Sequence, residues 1–224
     1  MIDFKNLHIG LTNRCRLLCP ECPRNNYYAK YIHSMTDIDS EHFANFLVQC
    51  QPDNILFCGN WGDPIYAKNF TLIIKKVKST FPNCSVSIHT NGSGKQPWWW
   101  KDLMSSLNER DTIVFSIDGV PENYNIYRIN SSWENVLAAI NTCVEYNKTY
   151  GKNINLHWKY IVFSYNEKDI LTAYNLSKEL GLTDFWLQEA IIAPNDLAMY
   201  DNEWLRPSRN FKEINNEFLL AISR

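Results

Sequence analysis

Short runs rich in β-branched and aromatic residues alternate along this chain with longer stretches in which apolar residues recur every three to four positions. The first pattern predicts strands at Leu7–Thr12, Asn54–Cys58, Ser85–Thr90, Thr112–Ile117, Leu156–Phe163 and Asp184–Gln188. The second predicts helices at Ser40–Gln49, Phe70–Thr80, Trp98–Asn108, Ser132–Tyr150 and Lys168–Leu180, with a last one near Ser208–Ile222. Local signals agree with these bounds. Ser131 followed by Glu134 reads as a capping box and Asn166 as an N-cap, while Gly151 and Gly181 stand where a helix needs a left-handed terminating residue. Successive strand starts lie roughly 27 to 47 residues apart, the length of one strand plus a crossover helix. Six βα units with right-handed crossovers make a parallel sheet, doubly wound or curled into a partial barrel, and periodicity does not separate the two.

Composition narrows the picture. At 224 residues and 45% hydrophobic content the chain can bury one good core, and no Gly/Ser-rich or Pro-rich linker, internal repeat or low-complexity tract divides it. We therefore expect a single domain over residues 1–224, with a barrel core at about 7–189 and a C-terminal extension at 190–224. Within that extension, Ala190–Pro207 has no clear period and is expected to fold over the barrel mouth. A net charge of −2 gives no bulk electrostatic case for nucleic acid or an anionic membrane. No apolar run reaches the roughly 18 residues of a membrane span, and Met1 to Leu11 lacks the pattern of a secretion signal. A soluble, cytoplasmic protein is the expectation.

The chemistry is concentrated in Thr12–Arg24, TNRCRLLCPECPR, inside a loop at 13–34. Cys15, Cys19 and Cys22 form a C-x₃-C-x₂-C pattern that packing alone does not explain. Three thiolates on one short loop can hold three irons of a cubane cluster, leaving the fourth without a protein ligand. Zinc is the competing reading, but structural zinc sites draw on two ligand pairs separated in sequence, and no second Cys/His pair at zinc spacing follows. A disulfide knot is disfavoured because three is odd. Cys50, Cys58, Cys84 and Cys143 are scattered and read as buried, apolar free cysteines.

C-x₃-C-x₂-C just after a first strand resembles the signature of the radical S-adenosylmethionine (radical SAM) superfamily. The resemblance implies a partial (β/α)₆ barrel, a TIM-like α/β fold. It also implies a [4Fe–4S] cluster whose open iron is chelated by SAM, and a low-potential electron donor of flavodoxin or ferredoxin type. One electron cleaves SAM to a 5′-deoxyadenosyl radical that abstracts hydrogen from a substrate. Glu21 stands where many members carry an aromatic residue near the adenine. Asn60-Trp61-Gly62-Asp63-Pro64, after the second strand, is similar to the family's Gly-Gly-Glu-Pro segment, which receives the SAM amino group. Gly62 and Pro64 match, and Asp63 supplies a shorter carboxylate. Thr90-Asn91-Gly92 and Ser116-Ile117-Asp118 resemble strand ends that contact SAM or line the substrate cavity, and Arg128 the arginine that several subfamilies direct at the SAM carboxylate. Each also has a bland reading: Gly-Asp-Pro, Asn-Gly and Asp-Gly are ordinary turn sequences, and an arginine can be a solvated surface residue.

The remaining candidates are weaker. His89 could serve as an acid or base, although a lone histidine on a strand is more often a bonded core residue. Lys159, Gln188 and Glu189 are substrate-side candidates whose strand parity is open. Trp98-Trp99-Trp100 cannot all face the core from one helix, so at least one is exposed, bound to a partner or folded onto a loop. Relatives that modify peptides often carry further clustered cysteines toward the C-terminus, and none follows Cys143, so one cluster is expected. The Asn-Trp-Gly-Asp-Pro and Trp-Trp details are similar to a branch of the superfamily met in bacteria and their phages, which supplies no reaction. Modification of a peptide or protein is the first reading. Rearrangement of a small molecule or nucleotide, as in deazaguanine synthesis, is the second, and a non-catalytic Fe–S or zinc sensor the third.

Overall fold

The computed structural model describes residues 4–20, 22–25, 34–59, 61–190, 208 and 210–223. Its strands are β1 (Asn6–Ile9), β2 (Asn54–Phe57), β3 (Ser85–Thr90), β4 (Thr112–Ser116), β5 (Asn155–Val162) and β6 (Asp184–Glu189). They are joined by α1 (Ser40–Cys50), α2 (Phe70–Thr80), α3 (Pro97–Ser106), α4 (Trp133–Tyr150) and α5 (Ile170–Glu179), and α6 (Phe211–Ile222) follows β6. Every predicted strand and helix is present, with ends displaced by up to three residues.

The sheet decides what the pattern left open. All neighbours are parallel, and the order is β1-β2-β3-β4-β5-β6 with no reversal. A doubly wound sheet reverses at a switch point, whereas sequential order with right-handed crossovers carries every helix to one side and curls the sheet around the other. Among the described residues β1 and β6 are not bonded to each other, so this is an open, partial (β/α)₆ barrel.

Helix ends follow from local chemistry. Asp39 caps α1 by accepting from the Glu41 and His42 amides, and Pro97 opens α3 where no amide proton is needed. The cap of α4 is Ser132 and not Ser131: its Oγ accepts from the Asn135 amide, and Ser132 donates to Glu134. Gly151 closes the helix at φ +60°. Asn166 does not cap a helix through its side chain. That side chain instead ties Phe163, Ile161 and Asp118 together beyond β5.

The strands have two unlike faces. Ile55, Phe57, Val86, Ile88, Ile113, Phe115, Leu156, Trp158 and Tyr160 are buried against the helices and form the main core. On the alternate positions β5 carries His157 and Lys159, and β3 carries Ser87 and His89, all half-buried on the concave side. Of the three tryptophans Trp99 and Trp100 enter the core, while Trp98 is 70% exposed. No described helix is long and apolar enough to cross a membrane.

Candidate active site at the barrel mouth

The cysteine loop lies on the C-terminal end of the sheet because the loop after β2 is pressed against it. A Cβ on Gly62 would stand 2.4 Å from the Thr12 carbonyl oxygen and 2.8 Å from the Arg14 amide nitrogen, so only glycine allows this approach. The Asp63 amide donates to the Arg14 carbonyl (2.9 Å) and Arg24 Nε to the Asn13 carbonyl (2.9 Å). Leu17 and Cys19 anchor the loop in a small second core with Tyr127, Phe163 and Ala190.

A cavity of about 300 Å³ opens at this mouth, and Cys15, Cys19 and Cys22 all line it. Gly62, Asp63, Thr90, Asn91, Ser116 and Arg128 line the same cavity, so the structure brings these sequence candidates from separate βα units to one wall. Lys159, Gln188, Glu189 and His89 line it too, and Lys159, alternating with buried Trp158 and Tyr160, settles the parity of β5. Pro64 and Asp118 are not brought to the wall: Pro64 starts a buried 3₁₀ turn, and Asp118 stands behind Arg128. Asn60 and Glu21 lie outside the described residues.

Asp63 is buried and heavily bonded. One oxygen accepts from the Ile65 amide (3.2 Å) and the Thr90 hydroxyl (2.9 Å), the other from the Asn91 amide (2.7 Å) and Asn91 Nδ2 (2.5 Å). These four donors match the roughly four acceptor sites of a carboxylate. Burial pushes its pKa up to about 6 despite them, leaving the group ionised at neutral pH. Arg128 is gripped by Asp118, with Nε at 2.7 Å and Nη2 at 2.6 Å from Oδ2. Burial opposes its charge, but Asp118 together with Cys19 and Tyr127 more than offsets burial, and Arg128 stays protonated. Two side chains turn N–H groups toward the cysteines: Asn91 Nδ2 lies 3.7 Å from Cys15 Sγ, and Arg128 Nη1 lies 4.0 Å from Cys19 Sγ.

The donor set tests which group the thiols fit. Three thiols of one loop line one cavity, and N–H donors from Asn91 and Arg128 face two of them, which suits thiolates that carry charge, as the ligands of an iron–sulfur cluster do. Without metal, burial pushes Cys15 up to about 12, with Asp63 adding to it, and Cys19 up to about 11, with Arg128 pulling the other way. Ligation of a metal releases those protons.

Sequence reasoning missed Cys58, which is half-buried on the cavity wall while Cys50, Cys84 and Cys143 are buried as expected. Its alternation with Ile55 and Phe57, which face the helices, could have placed it there. Tyr127 and Phe163, in contact at a centroid distance of 4.6 Å with their rings tilted by 36°, pack against the cysteine loop and carried no local signal.

No family model and no curated protein matches this sequence. Solved structures do. Streptococcus suis SuiB bound to S-adenosylmethionine is 12% identical and superposes at a TM-score of 0.73, covering 99% of this chain and 48% of that one. SuiB bound to precursor peptide SuiA is 13% identical at 0.72 over 100% and 47%. Native anSMEcpe with bound AdoMet is 18% identical at 0.62 over 84% and 51%. The chain has the fold of the radical SAM enzymes. It spans about half the length of these proteins. In this radical SAM fold the cysteine loop, the Gly62-Asp63 loop and the ends of β3, β4 and β5 share one mouth.

Proposed function

We propose that this chain is a radical SAM enzyme that modifies a peptide or protein, with Cys15, Cys19 and Cys22 holding a [4Fe–4S] cluster and SAM seated beside it. One observation carries the reading: three thiols from one loop line the same cavity as Asn91, Ser116 and Arg128, from the segments that resemble SAM contacts. When bound, the cluster and SAM supply a 5′-deoxyadenosyl radical that takes hydrogen from the substrate.

The chain's own residues prepare that site. Asp63 holds the loop after β2 to the end of β3 through Thr90 and Asn91, and so shapes the wall for the SAM amino acid moiety. We assign it this positioning role because its oxygens are already occupied. Leu17, Tyr127 and Phe163 shield the thiols from water, which favours a reactive intermediate. Ser116, Lys159 and Gln188 offer polar groups on the substrate side. A peptide substrate is supported by the peptide complexes in which similar proteins were solved, SuiB with precursor peptide SuiA and anSMEcpe with a Cp18Cys peptide.

Anaerobically reconstituted protein is expected to bind about four irons and four sulfides per chain. With SAM and a strong reductant it should release 5′-deoxyadenosine. Zinc without sulfide, or an intact cluster that never yields the nucleoside, would sink the enzymatic reading in favour of a zinc or Fe–S sensor. Proteome and metabolite mass spectrometry with and without the gene then separates peptide from small-molecule substrates.

A further inference from the structure

Arg128 donates from Nε and from one N–H of Nη2 to Asp118 Oδ2, and its Nη1 stands 4.0 Å from Cys19 Sγ. The pair is held rigidly. Asp118 Oδ1 accepts from the Ile161 amide (2.8 Å), its carbonyl accepts from Asn166 Nδ2 (3.1 Å) and from the Tyr165 hydroxyl, and the guanidinium lies over the Tyr127 ring at 5.3 Å. Asp118 is fully buried and the Arg128 side chain is only 14% exposed, so their charges are poorly screened by water. The result is a fixed dipole whose positive end points at one of the three thiols, while Asn91 directs a second, neutral donor at Cys15. The Leu17 amide adds a third, 3.4 Å from Cys15 Sγ.

We infer that Arg128, oriented by Asp118 and assisted by Asn91, sets the reduction potential of the cluster. The inference rests on the proposal that Cys15, Cys19 and Cys22 ligate a [4Fe–4S] cluster. Reduction adds one electron from a low-potential carrier and takes [4Fe–4S]²⁺ to [4Fe–4S]⁺ with no bond made or broken. The extra negative charge is shared with the ligand sulfurs, and N–H donors or positive charge facing them stabilise the reduced form. Asp118 works in the opposite sense, by neutralising part of the guanidinium charge. Arg128 and Asp118 are thus positioning and tuning residues, and the two have opposite effects on one observable.

The test is an EPR-monitored redox titration of the anaerobically reconstituted chain, without SAM. Arg128→Gln should make the cluster harder to reduce, with about tenfold less reduced cluster at a fixed potential, about 59 mV for a one-electron couple. Asp118→Asn should move the potential upward, Arg128→Lys should stay nearer the wild type, and Asn91→Ser should move it down by less than Arg128→Gln. Variants that all hold full iron at the wild-type potential would overturn the inference. Loss of cluster in Arg128→Gln transfers the decision to Asp118→Asn and Asn91→Ser. If those two also lose the cluster or shift in the same direction, the residues are structural and the tuning role falls. A wild-type chain that takes up no cluster defeats the functional proposal itself, which is a distinguishable failure.

Discussion

The two faces of one sheet differ in kind. On β5 the residues facing the helices are Leu156, Trp158, Tyr160 and Val162, all buried, while the alternate positions His157 and Lys159 face the concave side. The first set fills the core: Trp158 donates from its indole to the Ile117 carbonyl (2.8 Å) and packs near Trp133 and Phe185. The second set is polar and half-buried. Lys159 is pulled below its usual pKa by burial, and no carboxylate among the described residues lies within ion-pair distance. A barrel that stabilised itself from within would fill its lumen with branched apolar side chains. Here stability sits outside the sheet, and the inside is left for binding.

That division can be broken from either side. The largest effect should come from the mouth: replacing Cys15, Cys19 or Cys22 with alanine should abolish the visible absorption of the reconstituted cluster. Cys84→Ala should leave that absorption unchanged. Next, Trp158→Ala should cost about 3–5 kcal/mol of stability by opening a large cavity in the core. Lys159→Met, one residue along on the other face, should leave the melting temperature unchanged or raised while weakening substrate-dependent turnover, because it removes a half-buried cation with no ion-pair partner among the described residues.

Asp63 tests the boundary between the faces. Asp63→Asn turns an NH₂ group toward existing donors, so about 1.5–3 kcal/mol of stability should be lost, read by thermal denaturation. If positioning is its role, SAM affinity per cluster-loaded molecule, measured by isothermal titration, stays within a fewfold of the wild type. A hundredfold loss of affinity with unchanged stability would instead make Asp63 a direct ligand of the SAM ammonium.

A smaller effect concerns pH. Burial, then the nearby Lys159, pushes His89 down to about 4 from an ordinary 6.5. The unfolded chain therefore binds a proton that the folded chain refuses between those values. This contribution to stability is present above about pH 6.5 and is lost as pH falls toward 4. His89→Asn should flatten that part of the stability profile, measured by denaturant melts across the window. The smallest change is expected at exposed Trp98: Trp98→Ala should shift stability by within about 0.5 kcal/mol.

Much of this was legible in the chain itself. Helix and strand positions, the exposure of one tryptophan and the cysteine loop depend on periods, caps and spacings of a few residues, which a sequence states directly. The polar parity of β5 could also have been read from Leu156, Trp158, Tyr160 and Val162, since four apolar residues on alternate positions already define the face packed on helices.

What only the tertiary structure decided are relations between distant segments. Strand order distinguishes a half barrel from a doubly wound sheet, yet both are built from identical βα units. Asp63 meets Thr90 and Asn91 from 27 and 28 positions away, and Lys159 reaches the cavity wall of Arg128 from the next strand. Arg128 finds Asp118 only ten residues back, but its aim at Cys19 spans 109 positions. A local pattern records which side chains can donate or accept. Which donor meets which acceptor is set by how the crossovers stack the strands, and no window of sequence contains that information.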